Sequence, residues 1–239
     1  MSDSLKLLNQ KVVACIRCPR LVVYREKIAC EKRRAYLHWN YWGKPVPGFG
    51  DPNARLLILG LAPGAHGSNR TGRPFTGDAS GHFMYPVLHR TGFANQPIAT
   101  HCGDGLKLQD AYITAAVRCA PPDNKPRPDE IANCAPFLDW EIEELQNVQV
   151  VVALGRIGFD AYLNYLKRRG ILKGTKSLYV FGHGVSYEVP EGKILLASYH
   201  PSNQNTNTGK LTEKMFTEIF RKAAQLLKSN EGRVNKVSA

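Results

Sequence analysis

The sequence of 239 residues contains no long hydrophobic run. None of its apolar stretches approaches the roughly 20 residues that a transmembrane helix needs. The first residues, Met1-Ser2-Asp3-Ser4-Leu5-Lys6, also lack the long apolar core of a signal peptide. These two absences argue against a membrane protein and against a secreted one, so we expect a cytoplasmic protein.

Acidic residues are scarce in the chain. There are 20 Asp and Glu against 32 Lys and Arg, which gives a formal net charge of +12. The excess is uneven, because residues 1–50 carry ten basic residues and three acids. A basic balance favours a polyanionic partner, of which nucleic acid is the usual one. A solvated basic surface that aids solubility is the alternative interpretation.

The sequence shows no internal repeat, and its length fits one large domain that can bury a core without disulfides. Predicted strands alternate with predicted helices, which indicates a parallel sheet with helices on both faces. We predict a single α/β domain over residues 1–239, with a helical and aromatic extension over 1–50 and a frayed tail over 230–239. The predicted strands are 55–61, 111–117, 148–154 and 194–198; the predicted helices lie within 4–35 and at 79–90, 128–146, 156–168 and 211–228; a hairpin is predicted within Ser177–Val189.

One loop combines many glycines with few bulky side chains. The stretch Gly60–Asp78 has five glycines and two prolines, and it follows the apolar run Arg55–Leu59, which predicts a buried strand. Glycine lets another molecule approach the main chain closely. In open α/β sheets, ligands bind in the crevice beyond the carboxyl ends of the strands. The loop therefore predicts the wall of a ligand pocket, with an acid, Asp78, at its end.

Two further unusual loops also follow predicted strands. Residues 118–128 are rich in proline, and residues 199–209 contain His200-Pro201-Ser202 followed by a polar stretch. The carboxyl ends of parallel strands lie at one rim of a sheet, so we expect all three loops to meet there.

The sequence has six cysteines, which in a cytosolic protein indicate metal binding or catalysis more than disulfides. Cys15 and Cys18 form a C-x2-C pair, and Cys119 and Cys134 are separated by 14 residues. Four thiolates suit either a tetrahedral zinc or an iron–sulfur cluster, and scattered buried thiols are the alternative. The remaining Cys30 and Cys102 have no partner at a metal-binding spacing. Three arginines flank the paired cysteines, and we expect them to offset thiolate charge: Arg17, Arg20 and Arg118.

Three blocks of sequence together resemble the uracil-DNA glycosylase superfamily: Gly60–Asp78, Ala116–Pro126 and His200–Gly209. More closely, the chain is similar to the type-b, or family-5, iron–sulfur glycosylases, from Cys15 to the last helix. The resemblance implies a three-layer α/β/α fold with a four-stranded parallel central sheet. It also implies a structural [4Fe–4S] cluster, rather than zinc, on Cys15, Cys18, Cys119 and Cys134.

Two positions depart from other branches of that superfamily. Many members carry Asp, Asn, Gln or Glu where this chain has Leu61, which cannot activate water. Family-5 proteins share this absence, so a mechanism copied from the other families does not apply. Ala115 stands where family-4 relatives carry a uracil-reading Asn, so we expect the pocket to discriminate bases less strictly.

The resemblance implies cleavage of the N-glycosidic bond between a base and its sugar, which produces an anionic base and a cationic sugar. Three residues are assigned to catalysis of this step. His200 is predicted to hydrogen-bond uracil O2 as negative charge develops, its alternative role being a structural bond to the backbone. Asp78 is predicted to orient water and face the sugar, although it also suits a helix N-cap. Asn124 is predicted to order water or contact the base, although it also suits a turn.

Base and DNA recognition are assigned to the loops. Phe75 is predicted to stack on the extruded base, with a place in the core as its alternative. The polar stretch Asn203–Gly209 is a candidate wedge for the gap that the base leaves, with a solvated turn as its alternative. The predicted substrate-binding residues are Leu61, Ala62 and Gly64, through their backbone amides, with Phe75, Asn124 and His200; the predicted DNA-binding residues are Arg73, Ser202, Asn203, Gln204, Asn205 and Lys210.

The function that the resemblance implies is that of a monofunctional DNA glycosylase. Such an enzyme hydrolyses the N-glycosidic bond of uracil, without lyase activity, and we expect hypoxanthine and other deaminated or oxidised bases as further substrates. The expected partner is double-stranded or single-stranded DNA, bound by a nucleoid-associated monomer, and a sliding clamp is a candidate protein partner. The alternative is a non-catalytic protein that binds nucleic acid or senses redox state and is stapled by an iron–sulfur cluster or zinc.

Overall fold

The centre of the molecule is a six-stranded sheet whose four inner strands run parallel. The computed structural model describes the backbone of residues 3–237 and the side chains of residues 3–229. The spatial order of the strands is β1-β3-β2-β4-β6-β5. Their bounds are β1 Phe49–Gly50, β2 Leu56–Gly60, β3 Ala111–Ala115, β4 Val150–Leu154, β5 Ser186–Val189 and β6 Lys193–Ser198.

The inner strands form because they are short apolar runs that can be buried on both faces. Every residue of β2 and of β4 is buried, as expected for the middle of a parallel sheet covered by helices. The register pairs Gly60 with Ala115 and Leu154 with Ser198, so the carboxyl ends of these four strands lie level at one edge. The loops that follow β2, β3, β4 and β6 therefore all begin at this edge.

Helices cover both faces of the sheet. On one face, apolar residues of α1, α5 and α6 form a core cluster with the strands, and on the other face α4 and α8 do the same. Helix α6 lies especially close to β2, because a methyl group at Gly158 would be 2.5 Å from the carbonyl oxygen of Leu59. The helices are α1 Asp3–Val13, α2 Pro19–Glu31, α3 Ser68–Thr71, α4 Ala79–Arg90, α5 Pro128–Glu144, α6 Arg156–Arg168, α7 Asn203–Asn207 and α8 Glu213–Val237.

The predicted three-layer α/β/α architecture is confirmed, and the sheet is larger than predicted. The four parallel strands are present, and β1 and β5 add an antiparallel strand at each edge. The hairpin predicted within Ser177–Val189 is wrong in position. Strand β5 pairs with β6 across the turn Pro190–Gly192, while Lys176–Leu178 is a short 3-10 helix.

Two predictions for the C-terminal part of the chain also change. The polar stretch after His200 is a helix, α7, and not an irregular loop. The last helix runs to Val237 rather than ending near residue 228. A frayed tail is predicted over 230–239. Residues 238 and 239, and the side chains of residues 230–237, lie outside the described part of the chain.

Within the residues that the structure describes, no helix combines the length and the apolar character needed to span a lipid bilayer.

Candidate active site

Of the three loops that the sequence predicts to meet at the carboxyl edge of the sheet, those after β2 and β6 come together there through Phe75 and His200. The extension of β3 that leads into the third loop, 118–128, lies beside the first loop, because the amide of Val117 donates to the carbonyl oxygen of Leu61. The ring of Phe75 lies 5.9 Å from the ring of His200, measured between centroids, with 33° between the ring planes. Phe75 also packs on the end of β2, since a methyl group at Gly60 would be 3.0 Å from its ring. His200 packs on the residue after β4, since a methyl group at Gly155 would be 3.2 Å from its Cβ.

The long loop Gly60–Asp78 is held in shape by Arg70, which the sequence did not single out. Its Nε donates to the carbonyl oxygen of His66 at 2.8 Å, and its Nη2 donates to that of Gly77 at 2.6 Å. The guanidinium carbon lies 3.9 Å and 4.0 Å from the ring centroids of Tyr36 and Trp39. One buried arginine therefore links the middle of the loop to its end.

Phe75 sits on a strained backbone. Its φ is +50°, a left-handed conformation that non-glycine residues rarely adopt. The amide of Phe75 donates to Ser68 Oγ at 3.0 Å, which helps to hold this conformation. Such strain is stored mainly at functional sites. The backbone conformation sets the direction of the Phe75 side chain, so the ring packs against Gly60 and lies beside His200.

Asp78 serves as a helix cap and also packs against the glycine loop. Its Oδ1 accepts a hydrogen bond from the amide of Gly81 at 3.0 Å, at the start of α4. Its Oδ2 would be 1.8 Å from a methyl group at Gly67 and 3.0 Å from one at Gly64. Burial raises the pKa of Asp78, while the amide of Gly81 and nearby charges oppose that rise. The carboxylate thus uses one oxygen for the cap and lays the other on the bare backbone of the loop.

The start of the loop offers backbone donors. Among the described residues, the amides of Leu61, Ala62 and Gly64 have no backbone acceptor. The carbonyl oxygen of Leu61 is engaged instead, by the amide of Val117 at 3.0 Å. These three amides follow β2 at the edge where Phe75 and His200 meet, so they are available to hydrogen-bond a ligand there.

His200 is a neutral imidazole at physiological pH. Burial lowers its pKa to about 4, so the ring carries one N–H donor and one acceptor nitrogen. Its position is fixed from behind, because Asn205 Nδ2 donates to the carbonyl oxygen of His200 at 2.8 Å. A neutral, desolvated imidazole is suited to donate a hydrogen bond to an oxygen that becomes negative.

Asn124 is near the same edge but is not joined to the other catalytic candidates. It is exposed, with φ of +55°, in the turn Pro122–Asn124 that follows the extension of β3. The neighbouring Lys125 accepts a hydrogen bond from Arg20 Nη2 through its carbonyl oxygen at 3.2 Å, which ties this turn to α2. Within the described part of the chain, no contact connects the Asn124 side chain with Phe75, Asp78 or His200, so its catalytic role stays a prediction.

The predicted DNA-binding residues after His200 lie at the start of α7, within it and just beyond its end. Ser202 caps this helix, because its Oγ accepts a hydrogen bond from the Asn205 amide. Asn203 and Gln204 are exposed on the first turn, and Lys210 is exposed beyond the helix with its Nζ 5.0 Å from the Tyr199 ring centroid. The stretch is therefore an ordered surface beside His200, available for contact with a DNA strand.

Arg73 does not belong to that surface, which corrects the prediction of a phosphate contact. Only 4% of Arg73 is exposed, and its guanidinium is paired with both oxygens of Asp104 at 2.9 and 2.7 Å. Its Nε also donates to Thr76 Oγ1 at 2.9 Å. The pairing and the surrounding amides hold the pKa of Asp104 far below its usual range, against the effect of burial. Arg73 thus anchors the site loop to the loop before β3.

The four paired cysteines come together. They line one pocket between the start of α2, the segment after β3 and helix α5. Ala62 of the site loop packs against this group, which places the pocket directly behind the loop. In the described residues, no three ligating side chains are close enough to hold a single metal ion as they stand. A tetrahedral zinc would require the sulfurs to move to about 3.8 Å from one another.

The arginine side chain that contacts a cysteine sulfur is not one of the three that the sequence predicts. Arg25 Nη1 donates to Cys119 Sγ at 3.0 Å, and this arginine was not predicted. Of the predicted arginines, Arg118 does act on a cysteine: burial raises the pKa of Cys134, and the backbone amide and charge of Arg118 oppose that rise, while its guanidinium pairs with Glu141. Arg20 pairs with Glu130, and Arg17 lies over the Phe137 ring.

The donor set fits a metal–sulfur group. Burial raises the pKa of Cys119 to about 12 and that of Cys134 to about 11, so both thiols are protonated unless a cation displaces the proton. Cys15 and Cys18 complete a set of four sulfur donors with no competing carboxylate among the pocket's lining residues. Four thiolate ligands are what iron–sulfur clusters use.

Comparison with known proteins identifies the family. The sequence profile of the uracil DNA glycosylase superfamily matches residues 47–224. A type-5 uracil-DNA glycosylase of Thermus thermophilus is 54% identical over 217 residues, which cover 91% of this chain and 95% of that protein. Another type-5 enzyme, from Pyrobaculum aerophilum, is 44% identical over 90% of this chain and 89% of its own length. A type-4 enzyme of Sulfurisphaera tokodaii is 28% identical over 91% of this chain and 84% of its own.

The match covers the sheet, the site loop and the strand end that carries His200. The resemblance seen in the three sequence blocks is thereby confirmed, and it is stronger to the type-5 than to the type-4 relatives. The chain belongs to the uracil DNA glycosylase superfamily.

Proposed function

We propose that the protein is a DNA glycosylase that hydrolyses the N-glycosidic bond of uracil in DNA and so begins base excision repair. One observation carries this proposal. In a chain of this superfamily, Phe75, Asp78 and a neutral His200 converge beside unengaged backbone amides at the carboxyl edge of the sheet. Binding of DNA alone does not require such a set, so the site supports an enzyme over the non-catalytic alternative.

The base must leave the duplex to reach this edge, at a cost of roughly a few kcal/mol. Phe75 supplies a flat apolar face for it, and its ring position beside His200 sets where the base lies. The amides of Leu61, Ala62 and Gly64 provide donors for the carbonyl groups of uracil. A pocket built largely from backbone fits a loop with no polar side chain at position 61.

His200 stabilises the departing base. As the glycosidic bond breaks, negative charge develops on uracil O2, and a fixed donor aimed at that oxygen lowers the barrier. The imidazole is neutral, and in that form it still keeps one N–H that can donate to this oxygen. Asn205 holds the backbone of His200 in place through the His200 carbonyl oxygen, and the contact with Phe75 lies against the ring itself.

Asp78 acts on the sugar side. Its carboxylate balances the positive charge of the oxocarbenium-like sugar and orients the water that attacks it. The cap to Gly81 fixes one oxygen, which leaves the other to face the loop. Hydrolysis uses water as the nucleophile and leaves an abasic site, so no amine and no lyase step is involved.

The substrate range is proposed to include hypoxanthine and other deaminated or oxidised bases. Ala115 ends β3 directly beside Gly60 in the sheet register, next to the base-binding surface. Its methyl group offers no hydrogen bond that a wrong base would leave unpaired, and such unpaired groups are what give strong discrimination. Ala115→Asn is expected to lower hypoxanthine release more than uracil release, in a duplex assay with each base.

Cys15, Cys18, Cys119 and Cys134 are proposed to hold a structural [4Fe–4S] cluster. Such a group would join α2, α5 and the segment after β3 and would support the site loop through Ala62. The anaerobically purified protein should be brown, with absorption near ~400 nm and four irons per chain. One bound zinc and no iron would contradict this assignment.

The function is tested with a uracil-containing duplex followed by alkaline cleavage at abasic sites. Wild-type protein should cleave at the uracil position, and His200→Asn should reduce the rate at least about a hundredfold. His89→Asn, an exposed histidine on α4, is the matched control and should keep full activity. Folded, cluster-loaded wild-type protein that leaves no abasic site would overturn the proposal and favour the non-catalytic alternative.

A further inference from the structure

We propose that residues Arg33–Lys44, here called the aromatic segment, bind unpaired nucleotides of the DNA strand next to the extruded base. The inference rests on the proposed function, because release of uracil is what requires the DNA strand to be opened. It assigns a second contact surface, distinct from the site loop and from α7.

The composition of this part of the chain is unusual. Residues 33–44 contain four aromatic residues and three lysines or arginines, and no acid. Tyr36, Trp39, Tyr41 and Trp42 belong to none of the buried hydrophobic clusters formed by the described residues. Their rings therefore do not serve the core, which is the usual explanation for aromatic residues in a domain of this size.

The aromatic segment is attached to the site loop by side chains. The Arg70 guanidinium carbon lies 3.9 Å from the Tyr36 ring centroid and 4.0 Å from that of Trp39, within the range of strong cation–π contacts. Tyr41 Oη is 3.1 Å from His66 Nδ1. Arg70 and His66 both belong to the loop Gly60–Asp78, so the segment lies beside the proposed base-binding surface.

Backbone contacts fix the same arrangement. The amide of Trp42 donates to the Arg70 carbonyl oxygen at 2.9 Å, and the amide of Gly43 donates to that of Asn69 at 3.0 Å. The Trp42 ring packs against Gly72, where a methyl group would be 2.8 Å away. The aromatic segment is thus held directly beside the site loop.

The outer side of the segment is both apolar and positively charged. Leu37 is 58% exposed and Trp42 is 36% exposed. Arg33, Arg34 and Lys44 are exposed, and none of them forms an ion pair with another described residue. Cations without an ion pair, beside the exposed Trp42 ring and the partly exposed rings of Tyr36, Trp39 and Tyr41, match the chemistry of phosphates alternating with flat bases.

Unpaired DNA fits this surface better than duplex DNA. A duplex hides the faces of its bases, whereas single strands stack bases on aromatic side chains and track the backbone with basic ones. Extrusion of one nucleotide unstacks its neighbours, which creates a short stretch of that kind. The partner of the aromatic segment is therefore the damaged strand itself, on one side of the lesion.

The test compares two triple variants with the same change in charge. R33E/R34E/K44E alters the segment, and K107E/K167E/K228E alters three exposed lysines elsewhere. Affinity for a fluorescent, uracil-free oligonucleotide is measured by anisotropy over a range of salt, as single strand and as duplex. The segment variant should bind the single strand at least about tenfold more weakly than the control variant, with a salt slope smaller by about 2. Equal affinities, or an equal loss on the duplex, would overturn the inference.

A second measurement reports stacking directly. The chain has three tryptophans, so Trp140→Phe leaves only Trp39 and Trp42. Saturation with an oligothymidylate should quench the fluorescence of this variant, and unchanged fluorescence would contradict base stacking. Because both experiments use uracil-free DNA, they are independent of catalysis. Binding without uracil release by wild type would refute the proposed function alone, while uracil release without segment-dependent binding would refute only this inference.

Discussion

His200 determines a pH dependence that can be measured apart from catalysis. Its pKa is about 4 in the folded protein and about 6.5 when unfolded, so between these values the unfolded chain binds the additional proton. The free energy of unfolding must therefore fall as the pH drops from 7.5 to 4.5, by about 2.5 kcal/mol from this residue. His200→Asn should remove that part of the fall.

Urea unfolding at the two pH values gives the measurement, with His89→Asn as the matched control. The control should show the same pH dependence as wild type, since His89 is exposed. An undiminished fall in His200→Asn would mean that the imidazole is charged in the folded protein. The neutral hydrogen-bond donor of the proposed mechanism would then be wrong.

Asp78 has two roles that substitution can separate. Asn caps a helix about as well as Asp but carries no charge. Ala neither caps the helix nor carries a charge. Asp78→Asn should keep the free energy of unfolding within about 0.5 kcal/mol while uracil release falls at least about a hundredfold. Asp78→Ala should lose the same activity and also about 1 kcal/mol of stability. Full activity in the Asn variant would leave Asp78 as a cap only.

At the scale of elements, the position of the Phe75 ring relative to β2 depends on the absence of a side chain at Gly60. In Gly60→Ala the new methyl group would lie 3.0 and 3.2 Å from two ring carbons, so the ring must move by a few tenths of an ångström. We expect kcat/KM for uracil release to drop roughly tenfold, because small displacements of positioning groups are costly. Gly174→Ala, at a position with open space, is the control and should behave as wild type.

A double-mutant cycle identifies the cause of that loss. In a Phe75→Leu background the ring is absent, so Gly60→Ala should have little further effect on kcat/KM. Additive losses would show that the methyl group acts on the strand or on the substrate directly, and not through Phe75.

The elements that sequence predicted best are those with a strong local signal. Helix α4 begins and ends where predicted, because Asp78 supplies a cap before an amphipathic run. The inner strands were found within a few residues, since each is a continuous apolar run. Strand β1 has two residues and gains its definition only by pairing with β3, so no local pattern marks it. Ser202 does carry a capping signal that would have indicated α7.

Within the candidate site, sequence could name residues but not their partners. Phe75 and His200 were predicted from their loops, and the register of the sheet then brings them together. Arg70 and Arg73 look like surface cations in the sequence. Their burial depends on Tyr36 and Trp39 for the first and on Asp104 for the second, which are distant in the chain. Such pairings become visible only in the folded molecule.

At the scale of the whole molecule, the cysteine pocket joins parts of the chain that are far apart. Cys15 and Cys18 lie just before the start of α2, Cys119 follows β3 and Cys134 lies on α5. A cluster on these ligands closes a loop of about 100 residues, and a cross-link of that span is worth about 4–5 kcal/mol in a chain-entropy model. Cys119→Ser should therefore lower the free energy of unfolding by several kcal/mol in the anaerobic, iron-loaded protein.

The control and the activity distinguish a structural cluster from a catalytic one. Cys30→Ser removes an exposed thiol outside the pocket and should leave iron content and stability unchanged. Because the pocket contacts the site loop through Ala62 and not through Asp78 or His200, Cys119→Ser should retain measurable uracil release well below its melting temperature. Complete loss of activity in a variant that is still folded by circular dichroism would show that the cluster does more than hold the chain together.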